Sequence, residues 1–236
     1  MPKETEAGRM VEEGDALIRQ GNRPAAVDRY TEALRLDPAH AGALYRLGII
    51  HEEDGEPDLA VICYDGILAE NPDDPEAWTR RAHALLAAED VDGAAASARH
   101  AVEVGTSCAP AWYLLGVVEK RRMNLHSALE AFHRASELEP DNPDCWFMAG
   151  ATLDMMFRHD DAVVAYRQAL EITPHHLEAH KAMAYAFILL ERYEDAVEEC
   201  DRILELCPDY APAVYIRGIA LRGRDAVEYD GRCVQR

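Results

Sequence analysis

At 236 residues the chain could form one or two compact domains. Its 24 basic and 44 acidic side chains leave a formal charge of −20, which argues against sequence-independent binding to nucleic acid, where a positive surface must displace counterions. The longest apolar run, Ala182–Leu190, is far shorter than the ~18 residues of a membrane-spanning helix, and the polar start MPKETEAGRM is unlike a secretory signal.

Residues 1–6 read as a polar lead. From Ala7 to Tyr210 the sequence then repeats every 34 residues, with neither insertion nor deletion. Each repeat predicts two helices joined by a short turn. In the first, 7–40, Met10 and Glu13 give a weak first helix, suited to the wetter outer face of a terminal repeat. Its second helix places Ala26, Tyr30, Ala33 and Leu34 on one stripe. The second repeat, 41–74, carries Leu44, Leu47, Gly48, Ala60 and Tyr64. Gly21 and Gly55 fall in the turns between paired helices, where positive φ is often required.

The third repeat, 75–108, keeps Trp78 but has Ala98 in place of an aromatic and Thr106 in place of proline. Its run Ala94-Ala95-Ala96 favours helix and supplies little packing volume, so this repeat is expected to be the weakest. The fourth and fifth, 109–142 and 143–176, are the most regular. The sixth, 177–210, puts His180 and Cys200 where an indole and an aromatic ring would stand. Residues 211–236 read as a partial seventh repeat or a capping helix. There Arg224-Asp225-Ala226-Val227 echoes Glu194-Asp195-Ala196-Val197 at a spacing of 30 instead of 34.

Small residues recur at the eighth position of the repeats: Gly14, Gly48, Ala82, Gly116, Gly150, Ala184 and Gly218. They are expected to face Ala26, Ala60, Ala94, Ala128, Ala162 and Ala196 at the twentieth, where a larger side chain would overpack. Trp112, Leu115, Gly116, Ala128, Phe132 and Pro140 stand at the offsets W-x2-L-G … A-x3-F … P, and on these residues the array resembles the tetratricopeptide repeat (TPR) family. The resemblance implies an all-α, right-handed superhelical solenoid of six helix-turn-helix units with a C-terminal cap. It also implies a protein–protein interaction scaffold or adaptor with no catalysis of its own.

Little in the sequence points to chemistry. No lysine follows a glycine, so the usual phosphate loop is absent, and none of the four serines lies in a nucleophile elbow. His51-Glu52 has Gly55 where a second metal-binding histidine would be needed. His176 and His180 have a spacing that can share a metal, but His180 holds the buried indole position and packing accounts for it. No metal or cofactor is expected. The six cysteines include no Cys-x-x-Cys pair and suit reduced thiols in a cytoplasmic protein.

In TPR proteins the first helices line a concave groove, and six positions of each unit face a bound peptide. Transferred to this chain, the resemblance implies two kinds of surface. Tyr45, Arg46, Arg80 and His83 stand beside Glu52, Glu53 and Glu76. Tyr113, Leu114, Val117, Phe147, Met148, Met155, Tyr185, Ile188, Tyr215, Ile216 and Ile219 form an apolar series, with Lys120 and Arg121 on the rim. Some of these aromatic side chains could instead pack between neighbouring first helices. The carboxylate clamp of chaperone-binding TPR domains maps to Val11, Asp15, Arg46, Glu76 and Arg80, of which only Arg80 fits. The expected partner is a protein or peptide with a mostly apolar segment and an acidic group toward one end, and neither nucleic acid nor a membrane. The alternatives are an accessory substrate-recognition array of a larger or multi-chain enzyme, and self-association through the C-terminal unit.

Overall fold

The structure is a computed structural model that describes the backbone of residues 6–234 and the side chains of residues 6–226. The lead at residues 1–5 and the side chain of Val227 therefore lie outside the described residues. Thirteen α-helices and no strand are found among the described residues. They are α1 (Glu6–Arg19), α2 (Arg23–Leu36), α3 (Ala41–Glu53), α4 (Pro57–Glu70), α5 (Pro75–Ala87), α6 (Val91–Val104) and α7 (Ala109–Arg121). Then follow α8 (Leu125–Leu138), α9 (Pro143–Met155), α10 (His159–Ile172), α11 (Leu177–Leu189), α12 (Tyr193–Leu206) and α13 (Ala211–Val234).

The helices form two compact bodies, Met1–Val118 and Glu119–Arg236. In the first, α1 packs on α2, α3 on α4 and α5 on α6, each pair also touching the next. In the second, each helix from α8 to α13 packs on the one that follows it. Helix α13 runs unbroken from Ala211 to Val234, so the Arg224-Asp225-Ala226-Val227 segment continues a helix and does not open a new one.

Helix starts are fixed by side-chain acceptors. Asp74 accepts from the Glu76 and Ala77 N–H groups and Asp90 from Gly93 N–H. Two imidazoles take the same role, His40 Nδ1 accepting from Ala43 N–H at 3.3 Å and His176 Nδ1 from Ala179 N–H at 3.1 Å.

The turns inside the repeats close in one way six times. Residues 21, 55, 89, 123, 157 and 191, spaced by 34, all have positive φ. At each, the following N–H reaches five residues back, as from Asn22 to Leu17 (2.9 Å) and from Arg192 to Phe187 (2.8 Å). This is a Schellman motif, whose left-handed residue is usually glycine. Gly21 and Gly55 were legible as such; Glu89, Met123, Phe157 and Glu191 adopt the same conformation, with φ of 64°, 62°, 59° and 59°.

At three of the eighth positions the nearest neighbour is a tyrosine ring of the second helix. A Cβ added at Gly48 would lie 2.8 Å from the ring of Tyr64, and one at Gly150 2.6 Å from that of Tyr166. Gly14 stands in the same relation to Tyr30. The twentieth-position alanines are fully buried beside these crossings. Gly218, by contrast, has only Arg222 of its own helix nearby. In α5 and α6 the buried face is mostly alanine: Ala77, Ala82, Ala84, Ala94, Ala95, Ala98 and Ala101.

Two predictions follow from backbone and packing. A Cβ on Gly55 would meet nothing within 4 Å, so Gly55→Ala tests backbone strain alone. It should destabilise by about 1 kcal/mol in chemical denaturation, while Glu191→Gly should leave stability unchanged or raise it. Gly150→Ala should cost about 1–3 kcal/mol, because the ring of Tyr166 is fully packed and must shift. An unchanged midpoint in that variant would place the closest helix approach elsewhere.

Candidate peptide-binding surface

The first-helix residues singled out by the repeat register lie in both bodies, and the two sets differ in chemistry. In the N-terminal body, Tyr45 and Arg46 stand on α3, and Arg80 and His83 on α5. Arg46 donates twice to Asp15 of α1, at 2.8 and 3.0 Å, and this bond holds the Asp15 carboxyl below its ordinary range. Arg80 donates to Glu52 at 3.2 Å and lies 4.0 Å from Glu76. His83 is exposed, with Nδ1 3.5 Å from Glu52, whose carboxylate raises the imidazole pKa against the opposing effect of burial. Both arginines thus carry counter-ions from their own chain. Glu53 is taken by Arg23 of α2 at 2.7 Å. Tyr45 is half-buried, its ring edge-on to Tyr64 at 5.9 Å.

On α7, Tyr113 and Val117 are half-buried, but Leu114 is buried and offers little surface to a ligand. Ile216 is likewise fully buried. Both are corrections to the expected apolar series, and both have one cause. The repeat register fixes which helix face a residue occupies, and the neighbouring helices decide how deep it lies.

In the C-terminal body, burial pushes the Lys120 ammonium pKa down, and its Nζ donates to Met148 Sδ at 3.7 Å. Phe147 is half-buried between the rings of Tyr166 (5.9 Å) and His176 (5.1 Å). The open residues of the series are Met155 (40% exposed) on α9, Tyr185 (41%) on α11 and Tyr215 (64%) on α13, the last two on helices in contact. They are joined by Leu189 (61%) and Val214 (55%), which the sequence reading missed. Leu189 holds the thirteenth position of its repeat, the same as Met155, and extending the register would have found it. Val214 holds the position of the half-buried indoles, and nothing in the sequence marks it as open.

The histidine cluster is committed to structure. His180 is buried, with Nδ1 2.6 Å from Glu199 Oε2 and Nε2 2.9 Å from the Pro174 carbonyl. Both partners are acceptors, so both ring nitrogens must donate and the imidazolium is the fitting form. Burial pulls the imidazole pKa down, but the Glu199 and Pro174 hydrogen bonds outweigh it and the net shift is upward. Beside His180 a cleft of ≈ 640 Å³ opens among α10, α11 and α12. Its walls carry Arg167 and Arg202 as well as Glu171, Glu198 and Glu205, so it selects no one ligand charge. No group of three or more His, Cys, Asp or Glu side chains is placed to hold a metal ion among the described residues.

Models of the tetratricopeptide repeat match residues 11–75, 79–143 and 155–216, and the chain belongs to the tetratricopeptide repeat family. A probable UDP-N-acetylglucosamine–peptide N-acetylglucosaminyltransferase SPINDLY of Hordeum vulgare is 28% identical over 138 residues. That match takes in 56% of this chain and spans only 15% of the length of that curated relative. Among solved structures, PilF of Pseudomonas aeruginosa aligns with a TM-score of 0.74 at 17% identity, over 90% of this chain and 96% of its own. YrrB, described as a TPR protein with an unusual peptide-binding site, aligns at 0.67 with 21% identity, over 80% and 97%. At these identities the solved structures speak for the fold alone. No helix among the described residues is long and apolar enough to cross a membrane.

Because the folded pKa of His180 lies above the unfolded value of about 6.5, its contribution is complete below that pH. It is lost as pH rises through the folded pKa. Stability should therefore fall on going from mildly acidic to alkaline pH, and the fall should be smaller in Glu199→Gln, as thermal melts across that range would record. A fall of equal size in the variant would assign the effect to another group.

Proposed function

We propose that this protein is an interaction scaffold that holds a peptide segment of a protein partner against its first-helix surface, with no catalysis of its own. One observation carries the reading. Tyr185, Leu189, Val214 and Tyr215 leave large apolar side chains open on two touching helices of a chain with charge −20. A solvent-exposed apolar patch of this kind marks a binding surface more often than a tolerated liability. The peptide-binding site named for YrrB supports the reading by analogy of fold. The partner segment is mostly apolar. An acidic end, expected from Arg46 and Arg80, loses its basis because Asp15 and Glu52 already hold those arginines. The cysteine pattern suits a cytoplasmic location.

A second reading rests on the barley transferase match, in which this array would recognise substrates for a catalytic domain on another chain. Affinity capture followed by mass spectrometry separates the two, since the second requires an enzyme among the captured proteins.

Tyr185→Ala and Tyr215→Ala should each weaken binding of a captured partner by more than about 1 kcal/mol, the level that marks an anchor. Arg46→Ala should change it little, because the guanidinium is already paired within the chain. Calorimetric titration measures all three. Parent-like binding by both tyrosine variants would remove this surface from consideration.

A further inference from the structure

Along the array, a first helix turns one face to the second helix of its own repeat, and the eighth position marks the middle of that face. Gly14, Gly48, Ala82, Gly150 and Ala184 are all buried there. The rings of Tyr30, Tyr64 and Tyr166 close the three glycines. Helix α13 presents the same face at Val214, Gly218 and Leu221, whose i, i+4, i+7 spacing puts them on one stripe. It packs on α11 and α12 through another stripe, in which Ile216 meets Ala184 and Cys200, and Ala220 meets Met183, Phe187 and Ala196. Since α13 runs unbroken to Val234, no second helix of a seventh repeat turns back onto the first stripe among the described residues. Val214 is accordingly open, and a Cβ on Gly218 would meet only Arg222 of its own helix. The notch that admits a tyrosine ring in three repeats is vacant in the seventh.

Two observations define what fits it. Arg81 and Arg217 hold the same seventh position of their repeats, and each donates to an aspartate of the preceding second helix, Asp65 and Asp201, at 2.6 Å. Arg81 also donates to Ser97 of α6, the second helix of its own repeat, at 2.6 Å. Arg217 has no second acceptor of this kind among the described residues. The other observation is charge. From Ala211 to Ala226, α13 carries Arg217, Arg222 and Arg224 against Asp225, so three basic minus one acidic residue leaves +2 in a chain of −20. A second copy of α13 on this face would set arginine against arginine, whereas an acidic helix is attracted to it.

We propose that the Val214–Gly218–Leu221 face of α13 docks an acidic amphipathic helix of a partner protein. That helix carries the second-helix pattern: an alanine, a hydrogen-bond acceptor three residues on and an aromatic ring four residues on. The ring enters the Gly218 notch, and the acceptor takes the remaining Arg217 hydrogen bond. The site goes beyond the first-helix surface proposed above and shares only Val214 with it.

The probe is a stapled, fluorescein-labelled peptide with the sequence of α10, HDDAVVAYRQALEI, carrying Ala165→Ser so that hydroxyl and ring follow Ala162 at the required spacing. Asp160, Asp161 and Glu171 against Arg167 give it a formal charge of −2. Titrated with the full chain and followed by fluorescence anisotropy, it should bind saturably. The peptide with Tyr166→Ala, or the protein with Gly218→Leu, should bind about tenfold more weakly or worse, as an empty or overfilled notch implies. Gly218→Leu should itself melt at the same temperature or higher, because the added side chain meets open space and leucine favours helix over glycine. No binding, or equal binding by the Gly218→Leu protein, would overturn the proposal. So would a doubled mass in sedimentation that Gly218→Leu returns to that of one chain, which would give the face to a second copy. Either failure leaves the Tyr185 and Tyr215 tests standing, since Gly218 is no part of that surface.

Discussion

The distance between the two helices of a repeat is set where an aromatic ring packs against a residue without a side chain. Gly14, Gly48 and Gly150 admit the rings of Tyr30, Tyr64 and Tyr166, and even one methyl group at these glycines would collide with them. The buried alanines at the twentieth position follow from that approach, because the helices are then too close for anything larger. So does the need for a polar partner. A tyrosine long enough to span the crossing delivers its hydroxyl into the repeat's interior, where burial keeps it neutral and unpaired bonding is costly. Asp15 and Asp154 meet that need. The packing device therefore dictates one acidic residue on the first helix, and a core requirement reaches the surface that could meet a partner.

Where the ring is missing, the same logic loosens. Ala98 stands in place of an aromatic in the third repeat, and the crossing of α5 and α6 is filled by alanines whose methyl groups offer few contacts. Polar groups take up part of the slack. Arg81 donates to Ser97 at 2.6 Å and to Asp65 at 2.6 Å, and its guanidinium lies 5.7 Å from the Trp78 ring.

The helical repeat was legible because its period lies in residue size, and size is written directly in the sequence. Depth and pairing were not. Leu114 and Tyr113 are adjacent in the register, yet one is buried and the other only half so, because neighbouring helices cover the helix unevenly. The bond between Arg46 and Asp15 joins residues 31 apart in the chain and depends on rotamers that no spacing rule contains. The left-handed turns show the same limit from the backbone side. Glycine announces the conformation at two turns; at Glu89, Met123, Phe157 and Glu191 it is imposed by the helix pair on residues that disfavour it. The charged residues read as ligand contacts were in part the protein's own counter-ions, and Leu189 and Val214 were open where the reading had no entry for them.

The sixth repeat shows how one substitution constrains a second. Trp78 and Trp112 each donate an indole N–H to a loop carbonyl six residues back, Pro72 at 2.7 Å and Thr106 at 3.0 Å. That carbonyl sits beyond a helix end and needs a donor. His180 keeps the bond, with Nε2 donating to Pro174 at 2.9 Å, but an imidazole brings a second nitrogen where indole has only carbon. Buried, that nitrogen requires a partner, and Glu199 supplies one from α12. Glu199 in turn is held by Arg202. The exchange of an indole for an imidazole thus draws in a carboxylate and a guanidinium. It converts a pH-indifferent packing contact into an ion pair whose strength depends on a proton, next to a cleft that His180 helps to line.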